Sequence, residues 1–428
     1  MSPRLTVIGG GWAGLAAAVQ ATQAGAAVQL LEMAPQLGGR ARSLGSGDEA
    51  LDSGHHILIG AYRSTLGLMR ELGADPDALL WRGPLALVDA QDQGLRWPPG
   101  RSPALALLLA VARHGGWRLA DRLALARWGA GLLLRGLRCP EHWTVARLCA
   151  GLPDAVRADL FEPLCIAALN TPIDQASASV FLRVLRDALL GGPGGADLLL
   201  PRRPLSQLLP QPAADWLHRR GVAIELGRRV QSIEPRADGG WTVDGQASPQ
   251  VLLACSASEA ARLTQAWAPE WSSSAAALQS EAILTVYFEQ AGLRLPAPMV
   301  ALRGEPAQFL FDLQAVGGAP GRFAAVGSAL AGQLGRGRET LTDEVRAQLA
   351  AQVPALADAR LLRSHADRRA TFACTAGLRR PPLAIRPGLW ACGDYVDGPY
   401  PATLEGAVRS GQQAARAAVA ALAQCRHE

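Results

Sequence analysis

Residues 5–32 constrain this chain more than any other stretch. Leu5-Thr6-Val7-Ile8 is a short apolar, partly β-branched run that predicts a fully buried strand. Gly9, Gly11 and Gly14 follow in G-x-G-x-x-G spacing, with Trp12 and Ala13 inside the motif, and residues 15–24 are alanine-rich and helical in character. Gly25 ends that helix, and Ala27-Val28-Gln29-Leu30-Leu31 returns as a second strand closing on Glu32. Each part has a physical task. Gly9 permits the tight turn, Gly11 lets the backbone approach a pyrophosphate, and Gly14 lets helix and strand pack closely. The helix N-terminus offers unpaired N–H groups to the phosphates. Glu32 stands where a carboxylate accepts hydrogen bonds from a ribose 2′-OH, which disfavours a 2′-phosphate and so NADP. The stretch predicts a dinucleotide site.

The next ten residues, Met33-Ala34-Pro35-Gln36-Leu37-Gly38-Gly39-Arg40-Ala41-Arg42, extend the pattern. The extension resembles the long fingerprint of FAD-binding flavoproteins of the amine oxidase and phytoene desaturase superfamily. That resemblance implies that Gly38, Gly39 and Arg40 contact the dinucleotide, and a guanidinium fork suits phosphate oxygens. At the other end, "GLWACGDYVDGPYPATLEGAVRSGQQAARAAVAAL" (residues 388–422) resembles the same superfamily's C-terminal FAD motif. There Asp394, in a turn with Gly393, would contact the ribityl–pyrophosphate region, and the helix from Ala402 onward, with Thr403 and Leu404 at its start, would point its N-terminus at the flavin. The resemblance also puts Val230 at the adenine. FAD is the cofactor both ends imply.

Composition sets the limits. A chain of 428 residues, 49% hydrophobic and 18% charged, is long enough for two domains with sizeable cores. The cysteines at 139, 149, 165, 255, 374, 392 and 425 are scattered without a C-x-x-C, so neither a zinc site nor a disulfide framework is indicated. The first strand starts too early for a signal peptide, and no apolar run approaches a membrane span. A cytoplasmic location follows as the expectation. Residues 101–140 carry seven arginines (101, 113, 118, 122, 127, 135, 138) against one acid, Asp121, among leucines and with Trp117 and Trp128. This mixture suits either peripheral contact with an anionic membrane surface or a helical cap with solvated arginines. Nucleic acid fits poorly, because no RNA or DNA module is visible.

The predicted fold class is α/β: a Rossmann-like FAD-binding domain interleaved with an α+β substrate domain. The FAD-binding part is assigned to residues 1–90, 205–265 and 361–428, and the substrate or membrane-facing part to 91–204 and 266–360. Four internal runs resemble the hydroxysqualene dehydroxylases (squalene-associated FAD-dependent desaturases) of bacterial hopanoid synthesis. They are "LDSGHHILIGAYRSTLGLMRELG" (51–73), "FEPLCIAALNTPIDQASASVFLRVLRD" (161–187), "LLLPRRPLSQLLPQPAADWL" (198–217) and "RRATFACTAGLRRPPL" (368–383). The resemblance implies removal of the allylic hydroxyl of a C30 isoprenoid alcohol by reduced flavin, in the company of squalene-synthase-like enzymes. A carotenoid-type desaturase shares the fold, cofactor and lipid tunnel and is the alternative. Amine oxidation is disfavoured: all 42 Lys and Arg positions are arginine, so the lysine that many amine oxidases use near the flavin is absent, and the four tyrosines (62, 287, 395, 400) form no evident amine cage.

Cleaving an allylic C–O bond requires a proton donor and a dry apolar tunnel. "DSGHHILIG" is the place for the donor, since the corresponding superfamily strand passes the flavin ring. Neighbours on a strand face opposite ways, so at most one of His55 and His56 should enter the cavity, with His56 preferred. Tyr400 is the second candidate and Tyr395 the third. Asn170 and Thr171 suit either a bond to the substrate hydroxyl or a turn before Pro172.

Overall fold

The computed structural model describes residues 5–45, 47 and 50–424, so Cys425 lies outside it. Two sheets organise the described chain. The first has six strands in the order Ala223–Glu225, Val28–Leu31, Leu5–Ile8, Gln250–Leu253, Leu389–Ala391 and Ala384–Arg386. All pairs are parallel except the last. The central strands are buried without alternation because both faces are covered: Leu5, Val7 and Leu252 share a core with helix Trp12–Gln23, and Ile8, Val251 and Leu253 share one with Ile233, Trp241 and Val243 of a three-stranded antiparallel sheet. Gly9 has φ +111°, and a Cβ there would lie 2.6 Å from the Ala254 carbonyl oxygen, so only glycine fits the turn. Helix Trp12–Gln23 then packs against the C-terminal helix Leu404–Gln424. Their contact is close enough that a Cβ on Gly411 would sit 2.1 Å from the Ala13 carbonyl oxygen.

The second sheet is antiparallel, in the order Met299–Ala301, Phe309–Asp312, Arg322–Gly327, Ser280–Glu289 and Arg360–Phe372. Its period of two separates two environments. Leu284, Val286, Phe288, Leu310 and Ala325 share a core with Leu341, Val345 and Leu349 of helix Arg338–Gln352. The alternate residues Ile283, Phe309, Phe311 and Val326 turn toward the first sheet and line the space between.

Strand membership moves the boundaries read from the sequence. The line at 361 cuts strand Arg360–Phe372, which belongs to the second sheet. The line at 204 leaves Leu198–Pro201 outside, yet that strand pairs with Leu58–Ile59 and Leu80–Gly83. The line at 90 misses that Ala86 and Val88 are buried in the second sheet's core. In each case long-range pairing decides, and local composition does not report it.

Residues 101–140 form helices Pro103–Arg113 and Leu119–Leu134. Both tryptophans point inward: Trp117 Nε1 donates to Asp159 Oδ2 at 2.9 Å, and Trp128 Nε1 donates to the Leu148 carbonyl at 2.9 Å. They fasten the helices to the body and are not free to anchor at a membrane interface. Leucines form the exposed apolar surface, with Leu105, Leu108, Leu119, Leu123, Leu133 and Leu134 all open to solvent. No helix among the described residues is long and apolar enough to cross a membrane.

Candidate active site

Between the sheets lies a cavity of about 530 Å³. Its nucleotide end is built by the glycine loop. Gly11 and Gly39 line it, and Gly11 and Gly38 form a parallel bridge, so the floor is backbone without side chains. Trp12 and Ala13 follow on the wall, and Trp12 Nε1 is held by the Ala41 carbonyl at 2.9 Å. Gly11 is the N-cap of helix Trp12–Gln23, and no side chain caps it, leaving the first-turn amides for a ligand. Glu32 is buried and lines the cavity; its Oε2 accepts the Gly10 N–H at 2.5 Å and its Oε1 the Ala34 N–H at 2.7 Å. Each oxygen keeps a second lone pair for a ribose hydroxyl. Val230 lines the same end, its carbonyl accepting Arg262 at 2.6 Å.

Further along, Arg40 forms an ion pair with buried Asp394 and donates to the Ala370 carbonyl at 2.8 Å. Arg40, Gly393 and Asp394 all line the cavity, although they are some 350 residues apart in the chain. Thr403 and Leu404 bring the start of the C-terminal helix into the wall, where Thr403 Oγ1 accepts the Gly406 N–H at 3.0 Å. A side-chain-free floor, an uncapped helix end, a guanidinium and a ribose-facing carboxylate fit FAD's ribose and phosphates. Gly9, Gly11, Trp12, Ala13, Glu32, Gly38, Gly39 and Arg40 line the cavity and would hold its adenosine and pyrophosphate side. Gly393, Asp394, Thr403 and Leu404 would hold its ribityl and ring side. Gly14 does not line the cavity: a Cβ there would lie 1.8 Å from the Gly9 carbonyl oxygen, so it serves the close packing of helix on turn.

The remaining end is apolar, walled by Ile166, Leu169, Ile283, Phe309, Phe311 and Val326. His55 and His56 both line it, contrary to the expectation of opposite faces. The strand Leu51–Asp52 has already ended, and residues 53–57 are irregular, so the pleat does not govern them. His55 rests on Phe311, ring centroids 4.2 Å apart, and its Nε2 has no hydrogen-bond partner among the described residues. Burial, with the adjacent His56, pushes the His55 imidazole down to about 3. Burial and then Arg40 push His56 down to about 4, while Asp367 pulls the other way. Both rings are therefore uncharged at neutral pH.

Other candidates are placed differently. Tyr400 is outside the cavity lining; its hydroxyl donates to Asp187 Oδ2 at 2.8 Å, and burial plus that carboxylate push it up to about 12. Tyr395 lines the cavity with its hydroxyl buried and without a hydrogen-bond partner among the described residues. Asn170 is committed to structure: its amide nitrogen donates to Thr371 Oγ1 at 2.8 Å and its oxygen accepts the Ala329 N–H at 2.7 Å, while φ is +45°. Thr171 Oγ1 is likewise engaged, donating to the Leu169 carbonyl and accepting the Cys374 N–H. Sequence reasoning missed Tyr62, Asp367 and Thr371 as lining residues. Tyr62 and Thr371 lie inside runs that carry the family resemblance (51–73 and 368–383), and Asp367 directly precedes the second, but nothing local says that their side chains face the cavity.

Residues 7–72 match the NAD(P)-binding Rossmann-like domain, and residues 141–419 match the flavin containing amine oxidoreductase family. The chain belongs to the flavin containing amine oxidoreductase family. It is an FAD-dependent oxidoreductase. Hydroxysqualene dehydroxylase of Rhodopseudomonas palustris is 28% identical over 98% of this chain and 99% of that protein. A probable zeta-carotene desaturase of Synechococcus elongatus is 26% identical over 63% of this chain and 62% of its own length. The solved structure of cyclohexylamine oxidase from Brevibacterium oxydans superposes with TM-score 0.70 at 18% identity, covering 99% of this chain and 100% of the other, which supports the fold.

Cys392, the cysteine nearest the C-terminal motif, is fully buried in the core beside helix Trp12–Gln23 and does not line the cavity. Cys255 does line it, but burial, reinforced by Glu259, pushes its thiol up to about 12, so no thiolate is available to attack the ring. Acid precipitation is expected to release all the flavin into a yellow supernatant; colour on the washed pellet would contradict this.

Proposed function

We propose that the protein removes the allylic hydroxyl of a hydroxysqualene-type C30 alcohol to give squalene, within hopanoid-type isoprenoid synthesis. The observation that carries this reading is the match, nearly end to end on both chains, to a hydroxysqualene dehydroxylase. The desaturase match is shorter on both sides. Ile283, Phe309, Phe311 and Val326 hold the hydrocarbon and exclude water from the reacting end, which strengthens every polar interaction there. His56 donates a proton to the departing oxygen, so that water leaves and the allylic cation is delocalised. Reduced FAD supplies the hydride that completes the product, so R–OH, one proton and one hydride give R–H and water. Asp367 favours the protonated imidazole and Arg40 opposes it, setting how readily His56 is charged.

The test is anaerobic. Photoreduced, FAD-loaded protein should return to the oxidised yellow form on adding hydroxysqualene, with one squalene formed per flavin. Should hydroxysqualene leave the flavin reduced while a hydrogenated carotenoid precursor bleaches the oxidised enzyme, the desaturase reading takes its place.

Access to so apolar a substrate is served by peripheral membrane contact through residues 103–134. Leu108, Leu119 and Leu134 are 64%, 69% and 90% exposed, with Arg113, Arg118, Arg127 and Arg135 exposed beside them. Apolar side chains enter the headgroup boundary while arginines meet anionic lipid. Co-sedimentation with phosphatidylglycerol vesicles is expected to weaken with salt, because exposed charges are screened over about 8 Å at physiological ionic strength. Leu108→Ser with Leu134→Ser should weaken it further. Binding indifferent to both would identify the region as a solvated helical cap.

A further inference from the structure

Strand Arg360–Phe372 is the outermost strand of the second sheet, paired only with Ser280–Glu289. Its inner residues Asp367, Ala370 and Thr371 line the FAD cavity, and its Ala370 carbonyl is held by Arg40. Arg363, Arg368 and Arg369 of the same strand are exposed. Two further arginines converge on it. Helix Arg338–Gln352 begins against the strand, with Thr342 Oγ1 and Ser364 Oγ 2.7 Å apart, which brings Arg338 beside His365. Arg42, on the cavity wall, donates to the Gly39 carbonyl and also acts on His365. None of these five arginines has an acidic partner among the described residues; Arg360, at the far end, is paired with Glu289. The only carboxylate of the strand is Asp367.

We propose that this basic edge, formed by Arg338, Arg363, Arg368 and Arg369 next to the flavin cavity, docks a small acidic one-electron carrier protein that reduces the bound FAD. The inference rests on the reading above, in which turnover consumes reduced flavin. Two carrier molecules each lose one electron, and with one proton from solvent these convert oxidised FAD to its reduced anion. A concentrated positive field beside the acceptor steers an acidic partner and fixes its orientation, raising the rate of encounter more than the affinity. A lipid surface is the weaker occupant. Among large apolar residues on this strand only Leu361 is exposed, whereas the exposed leucines cluster on residues 105–134.

The experiment uses the FAD-loaded full chain and a reduced acidic [2Fe–2S] ferredoxin, without any isoprenoid. The second-order rate of flavin reduction should fall on the order of tenfold between ~25 mM and ~300 mM salt. Arg363→Glu with Arg368→Glu should lower it on the order of tenfold at low salt, and direct calorimetric binding of the carrier should weaken in parallel. Photoreduction by neutral deazaflavin, which needs no docking, should be unchanged in the variant and shows that the fold is intact. A salt-independent rate, or a variant that reduces and binds normally, overturns the proposal. So does a variant that loses vesicle binding while its reduction by ferredoxin is unaltered, since the edge is then a lipid surface. Because no hydroxysqualene is present, failure here leaves the substrate reading standing, and failure with hydroxysqualene leaves this result standing.

Discussion

His56→Ala is expected to retain FAD and to slow flavin reoxidation by hydroxysqualene by ~10² to 10⁴, the usual worth of a positioned general acid. The measurement is single-turnover reoxidation of photoreduced enzyme, with the visible flavin spectrum recorded first to establish that the ring environment is unchanged. His55 also lines the cavity, so it is a second donor candidate and not a neutral control. Tyr400 supplies the control: its hydroxyl is given to Asp187 outside the cavity lining, so Tyr400→Phe should leave the reoxidation rate within a few-fold. A near-normal rate in His56→Ala together with a large loss in His55→Ala would move the role to His55. Two near-normal rates would remove both.

The pH profile is a sharper discriminator. With His56 pushed down to about 4, about one imidazole in a thousand carries the proton at pH 7. Such a proton is given up readily once present, so scarcity and acid strength partly offset each other. The rate should therefore rise as pH falls from 8 toward 5, approaching tenfold per unit, and the rise should vanish in His56→Ala. A flat profile in the parent would mean that the proton comes from a group that stays protonated across this range. The tyrosines that line the cavity, Tyr62 and Tyr395, are such groups, because burial raises both phenols.

The cofactor end of the site was legible because its determinants are local. A strand, three spaced glycines, a helix and a terminal acid lie within about one βαβ unit; Gly9 and Gly14 answer steric requirements that no other residue meets, and Gly11 keeps the cavity floor free of a side chain. The C-terminal motif was legible for the same reason, and the cavity joins Arg40 to Asp394 across the whole chain. The substrate end was not, because it is assembled by a sheet whose strands are scattered over residues 280–372. Phe309 and Phe311 read as strand residues, yet nothing local says which face of that strand meets the flavin. The pleat rule failed at His55 and His56 since it presumes a strand, and the strand stops at Asp52. Trp117 and Trp128 suggested a membrane surface by composition, while their N–H groups are taken by acceptors that sequence proximity could not reveal.

Glu405 makes the strongest stability prediction, and it too depends on a contact invisible in sequence. Helix Arg63–Glu71 has Tyr62 at its N-cap, with no side chain of its own to satisfy the first-turn amides. Glu405, fully buried in the first turn of the C-terminal helix, supplies the acceptors from 340 residues away. Its Oε1 accepts the Ser64 N–H at 3.0 Å, and its Oε2 accepts the Thr65 N–H and the Thr65 hydroxyl, each at 2.9 Å. A carboxylate at a helix N-terminus also meets the positive end of the dipole. Glu405→Ala strands two amides and a hydroxyl; the two groups of Thr65 are buried and cost about 1–3 kcal/mol each when unpaired, and the half-buried Ser64 amide costs less, so a loss of about 3–5 kcal/mol is expected. Glu405→Gln keeps one acceptor oxygen and should lose roughly half as much. The check is the urea midpoint of the FAD-loaded protein for both variants. Because Tyr62 and Leu404 on either side of this link both line the cavity, Glu405→Ala should also shed FAD on dilution. An alanine variant within about 1 kcal/mol of the parent, holding its flavin, would show that solvent replaces the cap.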